Sequence, residues 1–217
     1  MAAQTTRAVL LDALGTLVAL EDPAPPLAAA LGVPLDDARR AMRAEIGFYR
    51  EHLHRGRDAQ GLAALRRDCA EIVRRELGLE RDVHDELLAS LVFTAYDDVA
   101  PTLAELRARG LKLIVVSNWD RSLHEALAAT GLAGLVDGAI SSAEAGSAKP
   151  DPAIFAQALA LAGTRAAVHV GDTADADVAG ARAAGLRAVL IDRDGQAPQT
   201  AGVPVIASLA ELPALLS

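Results

Sequence analysis

The stretch Ala8-Val9-Leu10-Leu11-Asp12-Ala13-Leu14-Gly15-Thr16-Leu17 decides the fold. Four apolar residues run into an aspartate, and a Gly-Thr turn follows at once. A short run of this kind reads as a strand buried on both faces, as in a parallel sheet with helices above and below. A carboxylate at the end of such a strand is costly unless something pairs with it. In open α/β sheets ligands sit beyond the carboxyl ends of the strands. Asp12 is therefore a site candidate, although an Asp at a strand end also serves simply to cap a turn.

Downstream, the pattern is helical before it alternates. Leu27 to Leu31, a helix capped by Asp36, the run Leu62 to Leu77 and the segment Val83 to Tyr96 all show helical spacing. This block reads as an insertion after the first strand. From Asp97 strands alternate with helices: 111–117, 136–141, 166–170, 186–191 and 203–207 are expected strands, with a polar loop over 193–202 and a last helix over 208–216. Asp120 can cap the helix after 111–117. Asp151, followed by Pro152, can cap the helix after Lys149. The expectation is an α/β, Rossmann-like, doubly wound parallel sheet from residues 1–17 and 97–217, with residues 18–96 inserted as an all-helical unit.

Composition narrows the function classes. The chain has 217 residues, 52% of them hydrophobic, and a formal charge of −8. That charge argues against a nucleic-acid partner. The one cysteine, Cys69, cannot form an intramolecular disulfide, which fits a reducing cytoplasm. The N-terminal residues do not read as a signal peptide, and no stretch is apolar and long enough to span a membrane. A cytoplasmic protein with a small-molecule substrate is expected; the sequence carries no signal of oligomeric state.

Three further stretches end strands on the edge where Asp12 lies. Ser117-Asn118 puts a hydroxyl and an amide at a strand end, suited to an anionic oxygen or to a plain turn. Lys149 is one of only two lysines, beside Lys112; a compact ammonium suits a place between a carboxylate and a phosphate. Gly171-Asp172-Thr173-Ala174-Asp175-Ala176-Asp177 clusters carboxylates where a hard cation such as Mg²⁺ takes oxygen ligands. Asp172 is the better ligand there, and Asp177, inside the expected helix, supports a neighbour. The five histidines show no metal-ligand spacing, and His169 reads as a hydrogen-bonded core residue. Trp119 either shapes a pocket or packs under the inserted helices.

In this order, Asp-X-X-Gly-Thr, Ser-Asn, Lys-Pro-Asp-Pro and Gly-Asp-X-X-X-X-Asp resemble the haloacid dehalogenase-like hydrolase superfamily over nearly the whole chain. The resemblance implies a Rossmann-like core with a helical cap over the active site. It implies Asp12 as the nucleophile that forms an aspartyl intermediate, with Lys149 at the reacting centre. Ser117 and Lys149 would hold the transferred group, with Thr16 and Asn118 also binding substrate. Asp12, Asp172 and the Leu14 backbone carbonyl would hold Mg²⁺.

One position departs from the pattern. Phosphatases of this family usually carry a second Asp two residues after the nucleophile, where this chain has Leu14. Losing a general acid–base costs about 10²–10⁴-fold. Three readings follow. A phosphatase-like hydrolase would favour good leaving groups such as acyl or aryl phosphates and would need another base, Asp120 or a cap residue. A 2-haloacid dehalogenase lacks that second Asp as well, needs no leaving-group proton and relies on a cap arginine, for which Arg43 is the match; Gly171-Asp172 argues against it, because those enzymes carry Ser-Asn there and use no metal. A non-catalytic binding module of the same fold has no need of the charged cluster. A phosphonoacetaldehyde hydrolase is set aside, because the inserted region has no lysine. The substrate is thus expected to be a phosphorylated metabolite or a halo acid, met by cap residues among Arg43, Phe48, Tyr49 and His52.

Overall fold

In a computed structural model, residues 5–196 and 202–216 are described. Six strands form one parallel sheet: β1 (Ala8–Leu11), β4 (Lys112–Ser117), β5 (Gly138–Ser141), β6 (Ala167–Gly171), β7 (Arg187–Ile191) and β8 (Val205–Ile206), in the order β5-β4-β1-β6-β7-β8. A separate antiparallel pair joins β2 (Val18–Leu20) to β3 (Phe93–Ala95). The helices are α1 (Ala24–Leu31), α2 (Leu35–His52), α3 (Ala59–Glu76), α4 (His84–Ser90), α5 (Val99–Ala108), α6 (Leu123–Ala129), α7 (Ser142–Ala145), α8 (Pro152–Ala162), α9 (Gly180–Ala183) and α10 (Leu212–Leu215).

The run-on apolar strands follow from burial on both faces. Val9, Leu11, Leu113 and Val115 point into one core with Leu103 and Leu106 of α5, Leu123 and Leu127 of α6, and Leu209 and Leu212. Their neighbours Ala8, Leu10, Ile114 and Val116 point to the other face, against Ile154, Phe155, Ala158 and Leu159 of α8. Alternation across the pleat thus serves two cores at once. A third core, with Leu27, Met42, Leu65, Cys69, Val73 and Leu87, holds α1 to α4 together.

Register sets the site. Leu11 lies level with Val115 on one side and Val170 on the other. Asp12 and Gly171 each follow by one residue and Ser117 by two, so all leave the sheet at one edge. Because β4 and β5 lie to one side of β1 and β6 to β8 to the other, this edge is the switch point of the sheet.

Several expected elements differ. The helix expected over Val83 to Tyr96 ends at Ser90. Phe93, Thr94 and Ala95 instead pair with Leu20, Ala19 and Val18, and their aromatic and β-branched character suits a strand. The first helix starts at Ala24, with prolines in its first turn, where a missing N–H costs nothing. Asp36 does not cap α2: the N-cap is Pro34, and Asp36 and Asp37 lie in the first turn, favourably placed for the helix dipole. Asp120 accepts from the Ser122 N–H at 2.6 Å one step ahead of α6, whose N-cap is Ser122. Asp151 caps α8 by accepting from the Ala153 N–H at 2.8 Å. After β6 a π turn over Ala174–Ala179 precedes the short α9. The last strand is only β8, and the last helix is a 3-10 turn, Leu209–Glu211, leading into α10. Residues 197–201 of the expected polar loop lie outside the described residues. Among the described residues no helix is long and apolar enough to cross a membrane.

One ion pair ties distant segments. Arg193, on the loop after β7, pairs with Asp98 at 3.1 Å, donates to the Thr16 carbonyl at 2.7 Å and stacks over the Tyr96 ring at 3.7 Å. Asp98 also accepts from the Ser208 hydroxyl and the Leu209 N–H, at 2.6 and 2.7 Å. Burial opposes its charge, but these donors hold its carboxyl below the usual range. A carboxylate with a depressed folded pKa stabilises above its unfolded value and loses that contribution as pH falls through the folded one. Asp98→Asn is therefore expected to cost about 2 kcal/mol at pH 7. The gap should close below pH 3.8, which urea midpoints at pH 7 and at lower pH would read.

Candidate active site

Asp12 ends β1 and is 5% exposed. Its Oδ1 accepts from the Ser117 hydroxyl at 3.0 Å and from the Lys149 ammonium at 2.5 Å. The same ammonium donates to Asp177 Oδ1 at 2.6 Å, with both side chains 2% exposed. Asp177 in turn meets His169 Nε2 at 2.8 Å and accepts from the Thr173 N–H at 3.0 Å. The buried lysine thus lies between two carboxylates, one from β1 and one from the π turn. Burial disfavours its charge, but Asp12 and Asp177 outweigh burial and hold it a cation. Burial also opposes ionisation of Asp177, where Lys149 and His169 win and keep its pKa low. At Asp12 burial prevails over Lys149 and pushes the carboxyl up.

Asp172 completes the cluster. It is exposed, accepts from its neighbour Thr173 Oγ1 at 3.0 Å, and has a carboxylate oxygen within 4.8 Å of oxygens on Asp12 and Asp177. Burial, then the nearby Asp12 and Asp177, push its carboxyl up to about 6. Two carboxylates on one ammonium, with Asp172 beside them, leave excess negative charge, and hard oxygen donors in that balance suit a divalent cation such as Mg²⁺.

Two glycines make the closeness possible. Gly15 has φ +82°, and a Cβ there would lie 2.1 Å from Asp172 Oδ2. A Cβ on Gly171 would lie 2.1 Å from Asp177 Cγ. Gly171→Ala is expected to push Asp177 off Lys149 and His169 and to cost about 1–3 kcal/mol. A melting curve measures this, and an unchanged midpoint would contradict the packing.

The other expected site residues divide. The Asn118 amide is engaged by the backbone: Nδ2 donates to the Lys149 carbonyl at 2.9 Å and Oδ1 accepts from the Lys149 N–H at 2.7 Å. It clasps the backbone that carries the lysine. Thr16 is fully buried, and among the described residues its hydroxyl has no hydrogen-bond partner. The Leu14 side chain is 41% exposed and lines a cavity of about 510 Å³. Arg43 is exposed and does not line that cavity; Arg50, seven residues and about 10 Å further along the same helix, does. Phe48 and His52 stack on each other at 4.2 Å, outside the lining.

This cavity lies between α2, α3 and α4 and the loop that follows β4. Its wall includes Ile46, Leu65, Leu87, Leu91, Phe93 and Trp119. Trp119 does both things expected of it, packing on Phe93 at 4.9 Å while lining the space. The inserted helices bear directly on that loop. The Arg121 N–H donates to the Gly56 carbonyl at 3.0 Å, Arg66 pairs with Glu125 at 2.6 Å, and a Cβ on Gly56 would lie 2.6 Å from Asp120 Cβ. The sequence reading named Tyr49 and missed Glu45 and Cys69, which also line the cavity. Glu45 lies three residues after Met42 and four before Tyr49 on α2, and Cys69 four after Leu65 on α3, which was the available signal.

Comparison with known proteins agrees with this geometry. The bovine "Haloacid dehalogenase-like hydrolase domain-containing protein 3" is 48% identical over 92 residues, 42% of this chain and 37% of that protein. "Phosphatase MT3486" of Mycobacterium tuberculosis is 42% identical over 130 residues, 56% of this chain and 59% of that one. The chain thus spans about half the length of the curated relatives it matches. The structure of L-2-haloacid dehalogenase from Xanthobacter autotrophicus superposes with a TM-score of 0.74 at 25% identity, covering 97% of this chain and 98% of that one. The family described as haloacid dehalogenase-like hydrolase matches residues 6–185. That span takes in the Asp12 strand, the Lys149 loop, Asp172 and the inserted helices together, and the chain belongs to the haloacid dehalogenase-like hydrolase family.

Proposed function

We propose that this chain is a Mg²⁺-dependent, phosphatase-like hydrolase that works through an aspartyl intermediate on Asp12, with residues 18–96 as a cap over the site. The observation that carries this is the gathering of Asp12, Asp172 and Asp177 around one buried ammonium at the switch point of the sheet. Asp12, Asp172 and the Leu14 carbonyl are the groups that would hold Mg²⁺, which supplies positive charge to the phosphoryl oxygens. A carboxylate oxygen of Asp12 attacks phosphorus, the ester P–O bond breaks, and the alcohol oxygen leaves with its electron pair. Ser117 and Lys149 hold the transferred group and keep Asp12 aimed. Water then attacks phosphorus of the phosphoryl aspartate, its proton passing to a phosphoryl oxygen; the Asp12 O–P bond breaks with its electron pair returning to the carboxylate, and phosphate departs.

Leu14 gives no proton to the leaving oxygen and takes none from the water. Leaving groups of low pKa, such as aryl and acyl phosphates, suffer least from this. The small-molecule substrate would place its leaving group in the cavity beside Leu14, and the inserted helices would exclude water there. The single cysteine fits a cytoplasmic setting.

A second reading, 2-haloacid dehalogenation, draws on the same apolar cavity, on Arg50 at its wall and on the likeness to the Xanthobacter enzyme. A screen of aryl phosphates, acetyl phosphate and 2-chloro acids, with and without Mg²⁺, separates the two. Mg²⁺-dependent phosphate release, with label from acetyl phosphate trapped on Asp12, is the expected result. Halide release without metal would replace this reading by the second.

A further inference from the structure

We propose that Glu45 selects the substrate, and that the leaving group it selects is an apolar body bearing an ammonium group. This rests on the phosphatase reading for the reaction, but not for the binding.

Glu45 is 4% exposed and lies on the cavity face of α2, between apolar neighbours. Among the described residues no Arg, Lys or His pairs with it; the buried Cys69 thiol is the polar side chain against it. A carboxyl in an apolar wall without a cation is costly, and the core of α1 to α4 around it is apolar. Burial pushes its pKa up, which is the same cost seen as a proton. An ammonium from a ligand would remove that cost.

Position supports the same assignment. The cavity runs from Glu45 to Leu14 and Asn118. Leu14 is two residues past Asp12, and Asn118 is next to Ser117, which donates to Asp12. The cavity thus comes within two residues of Asp12 at one end, and the proposal places the leaving group of a phosphoryl ester there. The second buried carboxyl of the wall, Asp120, adds negative charge. Of the arginines on the wall, Arg66 is paired with Glu125 and Arg50 stands at an exposed position. A body of six to ten carbons, flat or branched, suits a wall of Ile46, Leu65, Leu87, Phe93 and Trp119 within about 510 Å³.

The test compares 4-(2-aminoethyl)phenyl phosphate with 4-ethylphenyl phosphate, which matches it but lacks the amine. Wild type is expected to prefer the amine in kcat/KM by about 10- to 100-fold, and Glu45→Gln to bring the ratio near one. Glu45→Asp, which keeps the charge on a shorter arm, should fall between and stands in if the glutamine variant does not fold. Free tyramine should raise the melting temperature of wild type and not of Glu45→Gln. Equal turnover of both esters by wild type, or a preference that survives both substitutions, overturns the proposal and leaves the phosphatase reading intact. Tyramine binding that depends on Glu45, with neither ester hydrolysed, would keep the proposal and sink that reading.

Discussion

Asp12→Asn is expected to lower turnover of an aryl phosphate by about 10⁴-fold or more and to abolish labelling by acetyl phosphate. The amide oxygen is a poor nucleophile, yet it can still accept from the Ser117 hydroxyl and the Lys149 ammonium, which meet the same Oδ1 in wild type. Lys149 keeps Asp177 as its counter-charge. The substitution also removes a carboxylate whose charge burial opposes. The fold should therefore survive, with a melting temperature close to that of wild type. Loss of activity together with loss of the fold would instead show that Asp12 is chiefly a structural anion. Residual turnover near the wild-type rate would show that phosphorus is attacked by water directly.

Lys149→Met should do the opposite kind of damage. Methionine has a similar length and no charge, so Asp12 and Asp177 would face each other without the ammonium that lies 2.5 and 2.6 Å from them. Removing one partner of a buried ionic cluster costs about 3–5 kcal/mol, or roughly 6–20 °C in melting temperature for a chain of this size. Activity should fall with stability. Adding Asp177→Asn to Lys149→Met should recover part of the stability and none of the activity, because the unpaired charge is relieved while the phosphoryl group still lacks its cation. A double variant no more stable than the single one would mean that His169 and Thr173 already satisfy Asp177.

The sheet was legible because its strands must hide both faces. Val9-Leu10-Leu11 and Leu113-Ile114-Val115-Val116 permit few other fates, and parallel strands put Asp12, Ser117 and Asp172 at one edge without further information. What distance in sequence conceals is who bonds to whom there. Asn118 reads as a candidate substrate ligand because its amide stands at a strand end, but that amide is engaged by the Lys149 backbone 31 residues away. Arg43 is the expected match to a dehalogenase cap arginine, but along the same helix it is Arg50 that lines the cavity. The strand Phe93–Ala95 escaped notice since three residues show no periodicity, and only pairing with Val18–Leu20 makes them a strand. Glu45 sits in a helical stripe whose other members are apolar, and a sequence cannot say whether such a carboxyl is tolerated or used.

Arg193 carries a last consequence. Its guanidinium reaches back 177 positions to the carbonyl of Thr16, four residues from Asp12, and braces Asp98 where the chain returns to the sheet. The family match ends at residue 185, so a fragment cut there would keep Asp12, Ser117, Lys149, Asp172 and Asp177 while lacking the brace. Such a fragment would hold the loop after Asp12 without its anchor, so on the proposed mechanism Arg193 steadies that loop from beyond the matched span.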